Sequence, residues 1–171
     1  MKNHLNHFEP KLSKRADQGE TQYNLRNCAY MDDFFRPKII YPNMTKYLPF
    51  FYDDEVHYFH NDKSFHITGD LIEYLVCFLN SSLFKFCFID NFPELQGGTR
   101  ELRKIFLDKI PVLKITTKQN AVFEKLIKEI KKCKSQNFGT KELEIEVDKN
   151  LFELYGLTVE EKNIIGFVEI L

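Results

Sequence analysis

The sequence predicts an α+β fold: a small antiparallel sheet packed with helices and followed by a C-terminal helical hairpin. Three observations lead there. Residues 35–69 hold short apolar runs, Lys38–Tyr41, Leu48–Tyr52, Val56–Phe59 and Phe65–Thr68, each bounded by Pro, Asn or Asp. Runs rich in Ile, Val, Tyr and Phe, broken by turn chemistry, are the mark of short strands. From Leu71 onwards the apolar residues recur at helical spacing instead. Near the end, Gly156 stops one helical pattern, and Thr158 with Glu161 three positions on starts another as a capping box.

In chain order, Leu5, Phe8 and Leu12 stand at helical spacing, with Pro10 suited to the first turn of a helix beginning near Glu9. Arg15–Gly19 breaks that helix, and Tyr23–Tyr30 leads into the sheet. After the sheet, Gly69-Asp70 offers a turn and an N-cap for a helix over Leu71–Leu79. Asn80-Ser81-Ser82 caps a second apolar segment, Leu83–Ile89, read as scaffold. Asn91–Arg103 is a loop around Gly97-Gly98, and Lys109–Ile115 reads as a short edge strand limited by Pro111. Asn120–Lys134 is an amphipathic helix with Phe123, Leu126, Ile127 and Ile130 on one face. This divides the chain into 1–134, a sheet-and-helix domain, 135–140, a polar linker, and 141–171, an acidic helical tail.

A chain of 171 residues with 43% hydrophobic and 29% charged residues buries a real core. Its 17 Phe and 8 Tyr are mostly core, although aromatic rings also stack on bases. The four cysteines lack CxxC or disulfide-framework spacing, which predicts free thiols in a reducing cytoplasm. No apolar run approaches membrane-spanning length and the N-terminus lacks a leader's apolar stretch, so the expected location is cytoplasmic, with no membrane partner. The net charge of −1 conceals a pattern: −3 over residues 1–99, +7 over 100–134 and −5 over 135–171. A basic block between acidic ones shapes the local field whatever the total.

Side chains able to read a polar partner cluster in two places. Arg36, Lys38, Asn43, Lys46, His60, Asn61 and Lys63 lie among the predicted strands; Gln96, Thr99, Arg100 and Arg103 surround the Gly-Gly turn. Gln and Arg make bidentate contacts with adenine and guanine in the major groove. The structural alternative for the second group is a plain turn ahead of a helix with exposed arginines. Arg15, Gln18 and Arg26 contact phosphate or bases, or else pair with Asp17, Glu20, Asp32 or Asp33. The lysines of residues 125–134 read as a solvated face that sets the general field.

The ordered strings PKIIYPNM, FFYDD, NDKSFHITG and LIEYLVCFLNSSLFKF, preceded by RADQG and YNLR, resemble the TaqI-like C-terminal specificity domain. The resemblance runs from about Leu12 to about Ile165, and NLFELYGLTVEEKNII is similar to the helical hairpin that ends many restriction–modification polypeptides. It implies the DNA target-recognition part of a type IIG restriction enzyme or adenine methyltransferase. Double-stranded DNA is then one partner and a methyltransferase or nuclease polypeptide another, with the chain standing as a separated specificity portion. S-adenosylmethionine and a divalent metal are implied for those catalytic parts and not for this chain. A second reading is a protein-interaction or anti-restriction module that keeps the fold without DNA binding.

Catalytic motifs are missing from the residues themselves. The chain has no Asn/Asp-Pro-Pro-aromatic loop, and Asn91-Phe92-Pro93 carries a single proline. Glu129-Ile130-Lys131 and Glu160-Glu161-Lys162 match only the short end of a nuclease motif and fall in helical patterns. His57, His60 and His66 suggest a metal site, weakened because i and i+3 point to opposite faces of a strand.

Overall fold

The computed structural model describes residues 2–16, 18–24, 28–47 and 50–167. They belong to two compact units, Met1–Phe35 and Arg36–Leu171. In the first, α1 (Lys2–Asn6) and α2 (Glu9–Leu12, Pro10 in its first turn) precede a loop and a 3-10 turn, Met31–Phe35. The loop is held by its own polar side chains. The Arg15 guanidinium donates to the Asn24 carbonyl, and the Gln18 amide donates to the carbonyls of Ser13 and Arg15, both at 2.9 Å. Arg15 and Gln18 therefore serve the loop, while Arg26, Asp17 and Leu48 lie outside the described residues.

The second unit contains β1 (Lys38–Pro42), β2 (Met44–Thr45), β3 (Phe51–Asp53), β4 (Ser64–Ile67), α3 (Ile72–Leu79), α4 (Ser82–Asn91), β5 (Arg100–Glu101), α5 (Lys104–Leu107), α6 (Thr117–Ser135), α7 (Lys141–Leu154) and α8 (Val159–Ile165). An antiparallel sheet of order β3-β1-β4 sits beside a two-stranded ribbon, β2-β5. The α+β class and the small antiparallel sheet are as the sequence predicts. Period-2 alternation turns Ile39 and Tyr41 of β1 to the core, opposite Tyr52 and Phe65. Behind them α3 packs on α6, and α4 on α7. A chain of rings, Phe50, Phe84, Phe88 and Phe92, runs through the centre with centroids 5.0–6.2 Å apart.

Helix ends follow the sequence where a cap is local. Ser81 accepts from the Phe84 amide, and Thr158 and Glu161 cap α8 reciprocally. Thr116 with Gln119 forms a second capping box that the sequence reading did not single out. Asp70 does not cap α3; Leu71 takes that position in a left-handed conformation (φ 56°) with no side-chain cap. The expected strand at Lys109–Ile115 does not form: Lys109 and Ile110 turn back on Phe106 and Leu107, and the irregular chain that follows is tied to the end of α7 by the Leu113 amide, which donates to the Tyr155 hydroxyl at 3.3 Å. The 136–140 segment joins α6 to α7, which pack on one another within the second unit.

The largest departure is Val56–Phe59, which is no strand. Its amides are used elsewhere: His57 and Tyr58 each donate a backbone N–H to the Asp53 carboxylate at 3.0 Å. Val56, at φ 60°, turns the chain into this arrangement, an uncommon conformation for a β-branched residue. Residues 54–63 thus form a strap from the end of β3 to the start of β4.

Among the described residues no single helix is long and apolar enough to cross a membrane. The pair α3–α4 passes on composition only and is bent by 64°. All four cysteines are free; Cys77 is buried, and burial pushes its thiol well above the ordinary range.

Candidate nucleic-acid interface

Three sequence-distant groups of predicted contact residues meet at one place, the β2-β5 ribbon. Asn43 is the junction. Its N–H donates to the Lys63 carbonyl at 2.9 Å and its carbonyl accepts from Leu102 at 2.8 Å, so β1, the 61–64 turn and the end of β5 are tied together. Beyond it Met44 pairs with Glu101 and Thr45 with Arg100. The Thr45 hydroxyl accepts from the Tyr47 amide at 3.0 Å, a tight turn that leaves Lys46 and Tyr47 exposed. On the other strand, the Leu95 amide donates to the Thr99 carbonyl and closes the Gln96–Gly98 turn.

That turn needs its glycines. Gly97 and Gly98 sit at φ 72° and 79°, where a Cβ is strained, and a Cβ on Gly98 would touch the Lys46 stem at 3.7 Å. The ribbon tip therefore presents Lys46, Tyr47 and Gln96, flanked by Met44, Asn61, Lys63 and Arg103. Tyr47 (68% exposed) and Met44 were missed in the sequence, where a two-residue strand shows no alternation.

The predicted residues divide by environment. Lys46 has no acidic partner among the described residues. Lys63 stands 3.5 Å from Asp62, and the Asn61 side-chain oxygen accepts from the Lys63 amide. Arg103 is mostly exposed with its Nε 2.6 Å from Glu101. Arg100 is different. It lies half-buried under the loop, donating to the Phe92 carbonyl at 2.5 Å and to Glu94 at 3.3 Å, with its guanidinium 5.9 Å from the Phe88 ring centroid. That is a brace between β5 and the end of α4, and both terminal nitrogens of the guanidinium are engaged in it. Thr99 contributes its carbonyl to the turn, and Asn43 has a buried side-chain oxygen without a hydrogen-bond partner.

Lys38 is the clear correction. It is 0% exposed, and its ammonium lies 2.6 Å from Asp53, its cross-strand neighbour. A side chain so enclosed cannot meet a groove. Burial pushes the Asp53 carboxyl upward, but the bonds from Lys38, His57 and Tyr58 outweigh it and hold the group below its ordinary value. Arg36 lies beyond Lys38, at the end of β1 opposite Asn43, apart from the ribbon.

Much of the basic block is answered by carboxylates. Lys104 pairs with Asp108, Lys128 with Glu124 and Lys131 with Asp54. Lys118, Lys125 and Lys132, seven residues apart on exposed positions of α6, have no acidic partner among the described residues. His60 and His66 meet ring to ring, Nε2 to Nδ1 at 2.6 Å, while His57 turns to Glu55. Among the described residues no three His, Cys, Asp or Glu side chains are grouped as metal ligands. Gly97-Gly98 lies between α4 and β5, not in a strand–turn–helix cradle, so it does not fit S-adenosylmethionine.

All of the ribbon falls inside the segment, residues 1–112, that matches the TaqI-like C-terminal specificity domain. The chain belongs to this family. It is a specificity domain, the class of module that recognises the DNA sequence in restriction–modification systems. The match ends before α6, so the three C-terminal helices lie outside it. No curated protein is similar enough to the chain to count as a match.

Proposed function

We propose that this chain selects the DNA site for a type IIG-like restriction–modification enzyme, while a separate methyltransferase or nuclease polypeptide methylates adenine or cuts. The observation that carries the reading is the convergence of Lys46, Asn61, Lys63, Gln96 and Arg103 on one braced ribbon. A two-stranded ribbon has the width the major groove admits. Lys46, Lys63 and Arg103 then position the ribbon on phosphates, and Gln96 at its tip reads a base edge. S-adenosylmethionine and the divalent metal belong to the partner polypeptide, and the setting is the cytoplasm. Carboxylates beside Arg103 and Lys63 favour a second reading, a protein-interaction module that does not bind DNA.

Titration of the purified chain with duplex DNA at two salt concentrations separates the two. The DNA reading expects weak binding that falls steeply with salt, because each neutralised phosphate releases counterions. Site preference is then expected when a methyltransferase partner is added. No binding at low salt would leave the interaction-module reading standing.

A further inference from the structure

Away from the ribbon, a half-open groove of about 430 Å³ runs between β3, α3, α6 and α7. Its walls are apolar: Phe51 and Tyr52 from the sheet, Val76 from α3, Ile127 and Ile130 from α6, and Val147 from α7. The charged groups at it are Lys131, Lys134, Glu144 and Asp148. Both lysines already face carboxylates. Lys131 pairs with Asp54, and Lys134, largely exposed at the rim, lies 4.0 Å from Glu144. Glu144 also accepts from the Thr140 hydroxyl at 2.8 Å.

Asp148 is what remains. Asp148 is 5% exposed, one turn of α7 beyond Glu144, and among the described residues its carboxyl accepts from the amide (2.9 Å) and hydroxyl of Ser82. No cation reaches it among the bonds of the described residues. Burial pushes the Asp148 carboxyl above its ordinary value; the two Ser82 bonds oppose it without cancelling it, and the charge of Glu144 adds a smaller push upward. A buried carboxylate without a cation, set in an apolar groove of small-ligand size, is complementary to an organic cation on an apolar body.

We infer that this groove binds a small organic cation, an ammonium or amidinium carried on an aromatic or aliphatic body, with Asp148 taking the charge and the Phe51–Ile127–Val147 walls taking the body. The site is independent of DNA reading. It lies at residues shared between the family-matched segment and the helices beyond it.

The test is calorimetric titration of the full chain with benzamidinium, neutral benzamide and anionic benzoate. The expected order is benzamidinium tightest, benzamide about tenfold or more weaker, and benzoate without binding, since a charge-assisted hydrogen bond is worth at least that factor. Asp148→Asn keeps an acceptor for Ser82 and removes the charge; it should erase the preference for benzamidinium. Ile127→Trp fills the groove, leaves both carboxylates, and should abolish binding of all three. Circular dichroism confirms that each variant folds. Equal affinity for the three probes, affinity unmoved by both variants, or no benzamidinium binding to the folded wild-type chain would overturn the assignment.

Discussion

The ribbon, a two-stranded sheet of its own, and the strap between β3 and β4 are each built around an enclosed cation, and they use it for opposite ends. In the strap, Lys38 neutralises Asp53, and Asp53 in turn holds the amides of His57 and Tyr58. Charge there sets the path of a backbone. In the ribbon, Arg100 braces the loop from beneath while Lys46, Gln96 and Arg103 remain outside. Charge there supports a surface that other side chains present. A lysine or arginine beside a turn is thus a candidate contact only once its burial is known.

Breaking each support should separate the roles. The largest effect is expected from Lys38→Met, which strands Asp53 in a buried site; removing one partner of such a pair costs about 3–5 kcal/mol. Urea unfolding measures it, and a loss under about 1 kcal/mol would mean that the strap does not hang on the pair. Arg100→Ala should follow, at about 1–3 kcal/mol, because the Phe92 carbonyl and Glu94 lose their donor. Its effect on DNA should be uniform: weaker binding to every site variant with the preference unchanged. A change of preference would return Arg100 to base reading.

The ribbon tip should behave in the reverse sense. Gln96→Ala is expected to leave folding within about 0.5 kcal/mol and to lose about 1–3 kcal/mol of discrimination at one base pair. Lys46→Ala should weaken all sequences alike and lower the salt slope by about one unit. A panel of single-base duplex variants at two salt concentrations reads both.

Acid titration gives the smallest contrast, with opposite signs at two carboxylates. Asp53 is held below its ordinary value of 3.8, so its contribution is full above that pH and is lost as pH falls through the lower folded value. Asp148 is raised above the same reference, so the folded chain binds the proton more tightly and stability declines as pH rises through that window. Asp53→Asn should remove the first dependence and Asp148→Asn the second, followed as urea midpoints against pH.

Local chemistry made most helices legible. Ser81 before α4 and Thr158–Glu161 at α8 are caps whose donors lie within three residues. The strap was not legible, because Val56–Phe59 has strand composition and its amides turn away only where Lys38 and Asp53 face one another across β1 and β3. The ribbon was hidden for a related reason. Two-residue strands carry no periodicity, and the pairing of Thr45 with Arg100 joins segments more than fifty residues apart. The residue types at the site were visible; which of them support and which present was fixed only by packing.

The core also bears on where such a module can be cut. A graft cut at residue 112 follows the family match but severs shared machinery. Asn120 of α6 accepts from the Tyr74 amide and donates to Glu73, whose other oxygen takes the Tyr52 hydroxyl. Asp148 of α7 holds the start of α4 through Ser82, and Tyr74 meets Tyr155 hydroxyl to hydroxyl at 3.0 Å. A chimera transplanting the ribbon therefore has to carry α6 and α7 with it, because they pack with α3 and α4 in the one compact unit that begins at Arg36.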